Sequence, residues 1–202
     1  MINKIGIMQG RLSKQDGMKI QEFPKDTWKQ EFEKAKDIGF QTIEWIFDSK
    51  DNPIMDDNKL QCILKKSKEH NITINSIIAD FFMDNLLSSN NSKIGENLET
   101  LKKLIKNANK LNIKTIEIPL VDSSSLKSKQ EIDILEKNIK EIIPILEKNQ
   151  TVLGLESDLK PIEFKKLLEK INHPNIKANY DSGNSASLGY NAYEEFEFLG
   201  KW

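Results

Sequence analysis

"TIEIPL", residues 115–120, sets Thr115 and Glu117 against Ile116 and Ile118. The same alternation returns in "TIEWIF" (42–47), with Thr42 and Glu44 against Ile43 and Trp45. It returns again in "IKANYD" (176–181), with Lys177, Asn179 and Asp181 against Ile176, Ala178 and Tyr180. A period of two marks a β-strand with two unlike faces. Working outward, each such strand is followed by an amphipathic stretch of helical period. "DTWKQEFEKAKDIGF" places Trp28, Phe32, Ala35 and Ile38 on one face, with Asp26 or Thr27 to cap its start and Gly39 its end.

The pattern extends along the whole chain. "KIGIM", "ITINSIIA" (72–79) and "TVLGLE" (151–156) complete the strands. "KLQCILKKSKEH", "ENLETLKKLIKNANKLN", "EIDILEKNIKEIIPILEK", "EFKKLLEKI" and "AYEEFEFLGKW" complete the helices. Pro144 is expected to kink or split the fourth helix. About six β-α units result, each of roughly 30 residues. Such alternation gives a parallel sheet covered by helices. An open sheet buried on both faces should read as continuous Val, Ile and Leu. Here one face of several strands stays polar although it lies inside, as the lumen of a barrel around a polar ligand would. The sequence therefore predicts an α/β fold of the (β/α)8 TIM-barrel type, in one domain over residues 1–202. A whole barrel takes about 250 residues, so the expectation is an incomplete one, short of its last two units.

Composition bounds the chemistry. The 30 basic and 31 acidic residues leave a net charge of −1, which offers no field for nucleic acid or an anionic membrane surface. The single cysteine, Cys62, rules out an intramolecular disulfide framework and reads as a reduced core thiol. "MINKIGIMQG" is too short and interrupted for a signal peptide, and no apolar run approaches the roughly 18 residues of a membrane span. The expectation is a soluble cytoplasmic protein.

In a barrel of this type the active site gathers at the C-terminal ends of the strands. The polar residues expected there are Gln9 and Arg11 after the first strand, Glu44 on the second, Asp80 and Asp84 after the third and Asp122 after the fourth. Glu156 and Asp158 come at the fifth, and Asp181 and Asn184 at the sixth. Glu156 and Asp181 both take the inward phase at the last residue of a strand, and Gly154 leaves room below Glu156. Two carboxylates on adjacent strands can share a divalent cation. Asp181 before Ser-Gly reads equally as a turn or cap residue; Glu156 within "VLGLES" is harder to explain that way, since an unpaired buried carboxylate is costly. Glu44 and Glu117 read as lumen residues bonded to polar neighbours, and Asp84 and Asp122 as caps. Arg11 is the one arginine among 30 basic residues, and its planar fork suits a phosphate or carboxylate. His70 and His173 precede strands, on the opposite rim, and neither reads as a ligand.

"GIMQGRL", "FEKAKDIGFQTIEWIFD", "IEIPLVDSSSL", "GLESDL" and "NYDSGNSASLGY" together resemble the sugar phosphate isomerase/epimerase family of xylose isomerase-like TIM barrels. The likeness covers essentially the whole chain. It implies a single divalent metal, manganese first with magnesium, cobalt or zinc as alternatives. The ligands would be a Glu on strand 5, an Asp on strand 6, a His on strand 7 and a Glu on strand 8; Glu156 and Asp181 match the first two. It also implies that two glutamates, Glu156 being one, exchange a proton beside a carbonyl. Gln9, Arg11, Glu44 and Asn184 would contact a small sugar or sugar phosphate, Asn184 standing where relatives often carry His. Units 7 and 8, with the other two ligands, are missing from these 202 residues. The alternative is a truncated, catalytically inactive member serving at most as a binding or assembly module, with open strand edges that invite homo-oligomers. A DNA phosphodiesterase of the endonuclease IV kind would need a His-rich multi-metal cluster, which these two histidines do not supply.

Overall fold

Six parallel strands lie side by side in the order of the sequence: β1 Gly6–Met8, β2 Thr42–Ile46, β3 Thr73–Ile78, β4 Thr115–Leu120, β5 Val152–Ser157 and β6 Ile176–Ala178. They belong to a computed structural model that describes residues 5–14 and 21–202. Lys4 of the expected first strand, and the first four residues of the stretch read as lacking a signal peptide, lie outside the described residues. The pairing is longest between β4 and β5, which run in register from Thr115↔Val152 to Leu120↔Ser157. A register shift at Ile43/Glu44 interrupts the β2–β3 ladder. β1 and β6 are the edges of the sheet among the described residues. Consecutive strand order is that of a TIM barrel, and the barrel is not closed.

The connections carry helices α1 Trp28–Ile38, α2 Asp57–His70, α3 Phe81–Asp84, α4 Ile94–Lys110, α5 Lys129–Asn149, α6 Pro161–Ile171, α7 Ser182–Ser187 and α8 Ala192–Leu199. α1, α2, α5 and α6 each end on a left-handed residue, namely Gly39, Asn71, Gln150 and Asn172, where the reversed backbone lets the last carbonyls find donors. Thr27 occupies the N-cap of α1 without a side-chain capping bond; its Oγ1 instead pairs with Ser13 Oγ at 2.6 Å.

One local expectation fails and another fails in part. Ile38 is 64% exposed, because ten residues beyond Trp28 a helix of 3.6 residues per turn has drifted roughly a quarter turn off the apolar stripe. Pro144 does not split α5, which runs unbroken from Lys129 to Asn149. Its ring lies on the exposed face, where water can solvate the carbonyl that loses its donor.

The apolar phase of the strands packs under the helices. Ile43, Trp45, Ile77, Ile116, Leu153 and Leu155 are buried together with Phe32, Leu104, Ile142 and Leu168 from the helices. Trp45 stacks edge-on against Trp28 of α1 at 5.4 Å between centroids. A buried indole needs a partner for its N–H, and Trp45 Nε1 donates to Asn52 Oδ1 at 2.9 Å. Asn52 is itself buried and returns a bond from Nδ2 to the Ile46 carbonyl, pinning the turn after β2 to its own strand. The polar phase is left on the other side, as the alternation of the strands predicted.

Candidate active site

Glu117 on β4 and Glu156 on β5 are each 8% exposed and face the same interior. The register sets Glu117 opposite Gly154 and Pro119 opposite Glu156, so the two carboxyls reach each other diagonally and are hydrogen-bonded. Burial holds the Glu117 carboxyl far above the usual carboxylate range. The bond to Glu156 and repulsion from Glu44, Glu156 and Asp80 push it the same way. A buried pair of this kind holds one proton between two carboxyl groups. Gly154 is needed for another reason than open lumen space: a Cβ there would come within 3.3 Å of Asn179 Cβ, so the room it leaves is taken by Asn179.

β6 is shorter than the sequence suggested, and Asp181 lies three residues past its end. There Asp181 is the N-cap of α7, its Oδ1 accepting from Gly183 N at 2.7 Å and Asn184 N at 2.8 Å. The cap also aims Asn184 inward, where Nδ2 donates to Glu156 Oε1. The turn-residue reading of Asp181 therefore describes its local role, while its place beside Glu156 is kept.

These groups line a cavity of about 500 Å³, within the usual range for a small-molecule site. Glu156, Asp181 and Asn184 form its β5–β6 end. Met8, Asp48 and Asp80 form the end nearer β1, β2 and β3, with Gln21 reaching over. Asp80 has its carboxyl pushed up to about 6, by burial above all and then by Asp48, Glu156 and Glu44. Its bond from Gln21 Nε2 (2.7 Å) works the other way. Asp84 and Asp122 also face the cavity. They are not helix N-caps: Asp84 ends α3, and Asp122, with a left-handed φ of 50°, opens a short turn of 3-10 helix.

Three expected contact residues stand off the cavity wall. Gln9 is 2% exposed, its Oε1 accepting from Ile46 N at 3.0 Å. Glu44 is half-buried, takes a 2.7 Å bond from Ser76 Oγ, and has its carboxyl raised by burial and by Glu156. Arg11 lies on an exposed turn. That turn reveals a residue the sequence reading passed over. Glu31, 1% exposed on α1, accepts from Gly10 N at 2.9 and 3.0 Å, from Leu12 N at 3.2 Å and from Ser13 Oγ at 2.9 Å. Burial raises its carboxyl while these bonds oppose the shift. The signal was available, since Glu31 stands three residues after Trp28 and beside Phe32, within the apolar stripe.

His70 closes α2 ahead of β3, and His173 lies ahead of β6, bonded through Nε2 to Glu147 at 3.3 Å. Both belong to the opposite rim. Among the described residues no group of three or more His, Cys, Asp or Glu is arranged to hold a metal ion. The oxygen donors Glu156 and Asp181 suit a hard divalent cation. The Asp181 cap uses only Oδ1.

A family model described as xylose isomerase-like TIM barrel matches residues 32–201. Three solved structures share the fold at low identity. A xylose isomerase domain protein from Planctomyces limnophilus is 13% identical, with a TM-score of 0.73 over 98% of this chain and 69% of that one. A D-psicose 3-epimerase studied in the presence of D-fructose is 18% identical, with a TM-score of 0.70 over 92% and 65%. A xylose isomerase-like TIM barrel protein from Mycobacterium smegmatis in complex with magnesium is 16% identical, with a TM-score of 0.71 over 97% and 71%. The chain thus spans about two thirds of the length of these structures. No curated relative matches the sequence significantly.

Proposed function

Because the chain belongs to the xylose isomerase-like TIM barrel family, we propose that it is a divalent-metal-dependent isomerase or epimerase. It acts on a small sugar or sugar phosphate by proton transfer next to a carbonyl. The observation that carries this reading is the proton-sharing pair Glu117–Glu156 opening onto a cavity of about 500 Å³ beside Asp181 and Asn184. Glu156 and Asp181 would hold the ion, and the magnesium named for one structural neighbour supports a divalent cation of that class, with manganese our first choice. When bound, the ion would orient neighbouring substrate oxygens and acidify the adjacent C–H.

The remaining work falls to the chain's own groups. Asn184 Nδ2 holds Glu156 Oε1 in place, fixing the carboxylate that takes up the proton. Glu117 keeps its proton and donates it to Glu156, which prevents two adjacent negative charges from forcing the pair apart. Proton transfer by a positioned carboxylate contributes about 10²–10⁴-fold. A cytoplasmic setting fits the single reduced Cys62, and no helix among the described residues is long and apolar enough to cross a membrane.

Thermal melts with and without Mn²⁺ or Mg²⁺, on the wild type and on Glu156→Ala, test the reading. The wild type should be stabilised by the ion and the variant should not; no shift in either sinks it. A second reading, that the chain is a catalytically inactive binding or assembly module, is favoured by the open β1 and β6 edges. Turnover of a ketose by the monodisperse chain would remove it.

A further inference from the structure

We infer that the cavity selects an uncharged, polyhydroxylated ligand and turns a phosphorylated one away; this rests on the sugar reading above and narrows it. Seven of the residues lining the cavity are carboxylates, and none of the described lining residues is Lys, Arg or His. Phosphate sites are built the other way round, from arginine forks, lysines and backbone N–H groups.

Among the described residues, two basic side chains close in sequence do not line the cavity. Lys50, two residues after Asp48, pairs with Glu96 and stands over the Phe81 ring at 5.8 Å. Arg11 rides on the exposed turn that Glu31 holds, and is not among the lining residues. A divalent ion at Glu156 and Asp181 would offset the charge of those two residues and leave Asp48 and Asp80 at the other end. A phosphomonoester near pH 7 carries about two negative charges, and setting them against these carboxylates is a repulsive contact of the kind that rejects a wrong ligand.

The β1–β3 end also asks for hydroxyl groups. Asp48 Oδ2 accepts from Phe23 N at 3.0 Å, but its Oδ1 is buried without a hydrogen-bond partner among the described residues. An unpaired buried acceptor is costly, and a sugar hydroxyl, which can donate, answers Asp48 from the cavity. A phosphate, which mainly accepts, cannot answer Asp48.

The test compares D-fructose with D-fructose 6-phosphate as probes of the full chain, at fixed free Mg²⁺, by calorimetry or ligand-observed NMR. Fructose should bind, and its phosphate should bind at least about tenfold more weakly. Added salt should narrow that ratio by screening, which a purely steric exclusion would not show. In Asp48→Asn/Asp80→Asn the phosphate ester should gain on fructose. Equal or tighter binding of the phosphate ester overturns the inference and leaves the sugar reading standing. A preference that ignores both salt and the double substitution overturns its electrostatic basis. If neither sugar binds, the sugar reading fails and takes the inference with it.

Discussion

Asp80 carries its carboxyl toward a cavity rich in other acids and accepts a hydrogen bond from the amide of Gln21. Its carboxyl rises from 3.8 to about 6 on folding. Between those values the native state holds more protons than the unfolded one, so stability falls as pH rises and the loss is complete above about pH 6. A shift of about two units corresponds to at most about 3 kcal/mol, less the share screened by solvent. Asp80→Asn removes this cost. Its stability relative to the wild type should climb from about pH 4 to about pH 6 and then level off, as read from urea midpoints across that range. A constant difference would show that Asp80 titrates normally. Glu117 behaves differently because it already holds its proton near neutral pH. Glu117→Gln keeps a donor for Glu156 at nearly the same volume, so it should change stability by less than about 1 kcal/mol. Glu117→Ala, which leaves Glu156 without that donor, should cost about 2–4 kcal/mol.

Among the elements, the turn between β1 and α1 depends on one side chain. Glu31 gathers two backbone N–H groups and a hydroxyl from residues 10–13, and Lys34 Nζ adds a 2.7 Å bond to the Leu12 carbonyl. Gly10 sits at φ 81°, and a Cβ there would meet the Glu22 carbonyl at 2.9 Å. Glu31→Ala should therefore cost about 2–4 kcal/mol, since charge-assisted bonds are worth about 1.5–3 kcal/mol each and their donors would be left buried. Hydrogen exchange should rise at residues 10–13 while β4 and β5 stay protected. Element identity was legible because each strand carries a two-residue period and each helix a 3.6-residue one. Glu44, Glu117 and Glu156 could be placed inside from that period alone. What was not legible depends on distance in the fold rather than on period. The Glu117–Glu156 bond requires the β4–β5 register, and Asn179 filling the space over Gly154 requires the chain to turn after Ala178. The role of Asp181 as cap depends on β6 stopping three residues before it. Ile38 shows the same limit inside one helix, where the 3.6-residue pitch carries it off the apolar stripe.

At the scale of the whole molecule, a six-stranded sheet in barrel order leaves two edges unpaired among the described residues, and most of the exposed large apolar side chains come from the two ends of the described sequence. Ile5, 67% exposed, directly precedes β1, and Ile38, 64% exposed, ends α1. Tyr180, Leu188, Tyr193 and Phe196 follow β6, with Tyr193 88% and Phe196 62% exposed. Each edge strand is only three residues long, which limits strand-to-strand association on its own. The apolar group beyond β6 is different, because Tyr180 and Phe196 already pack at 5.1 Å and form a preassembled patch. Exposed apolar area of this kind is worth about 25 cal/mol per Å² once covered, so the chain should self-associate through it as concentration rises. Tyr193→Glu/Phe196→Glu places charge in the patch without touching the hydrogen bond from Tyr180 to Glu195, and should return the protein to monomer in sedimentation velocity. Because the double substitution leaves Tyr180, Asp181 and Asn184 in place, the melting shift with Mg²⁺ should survive it. Association that persists in the variant would move the contact to the β1 edge, and loss of the metal shift would mean that the patch supports the site itself.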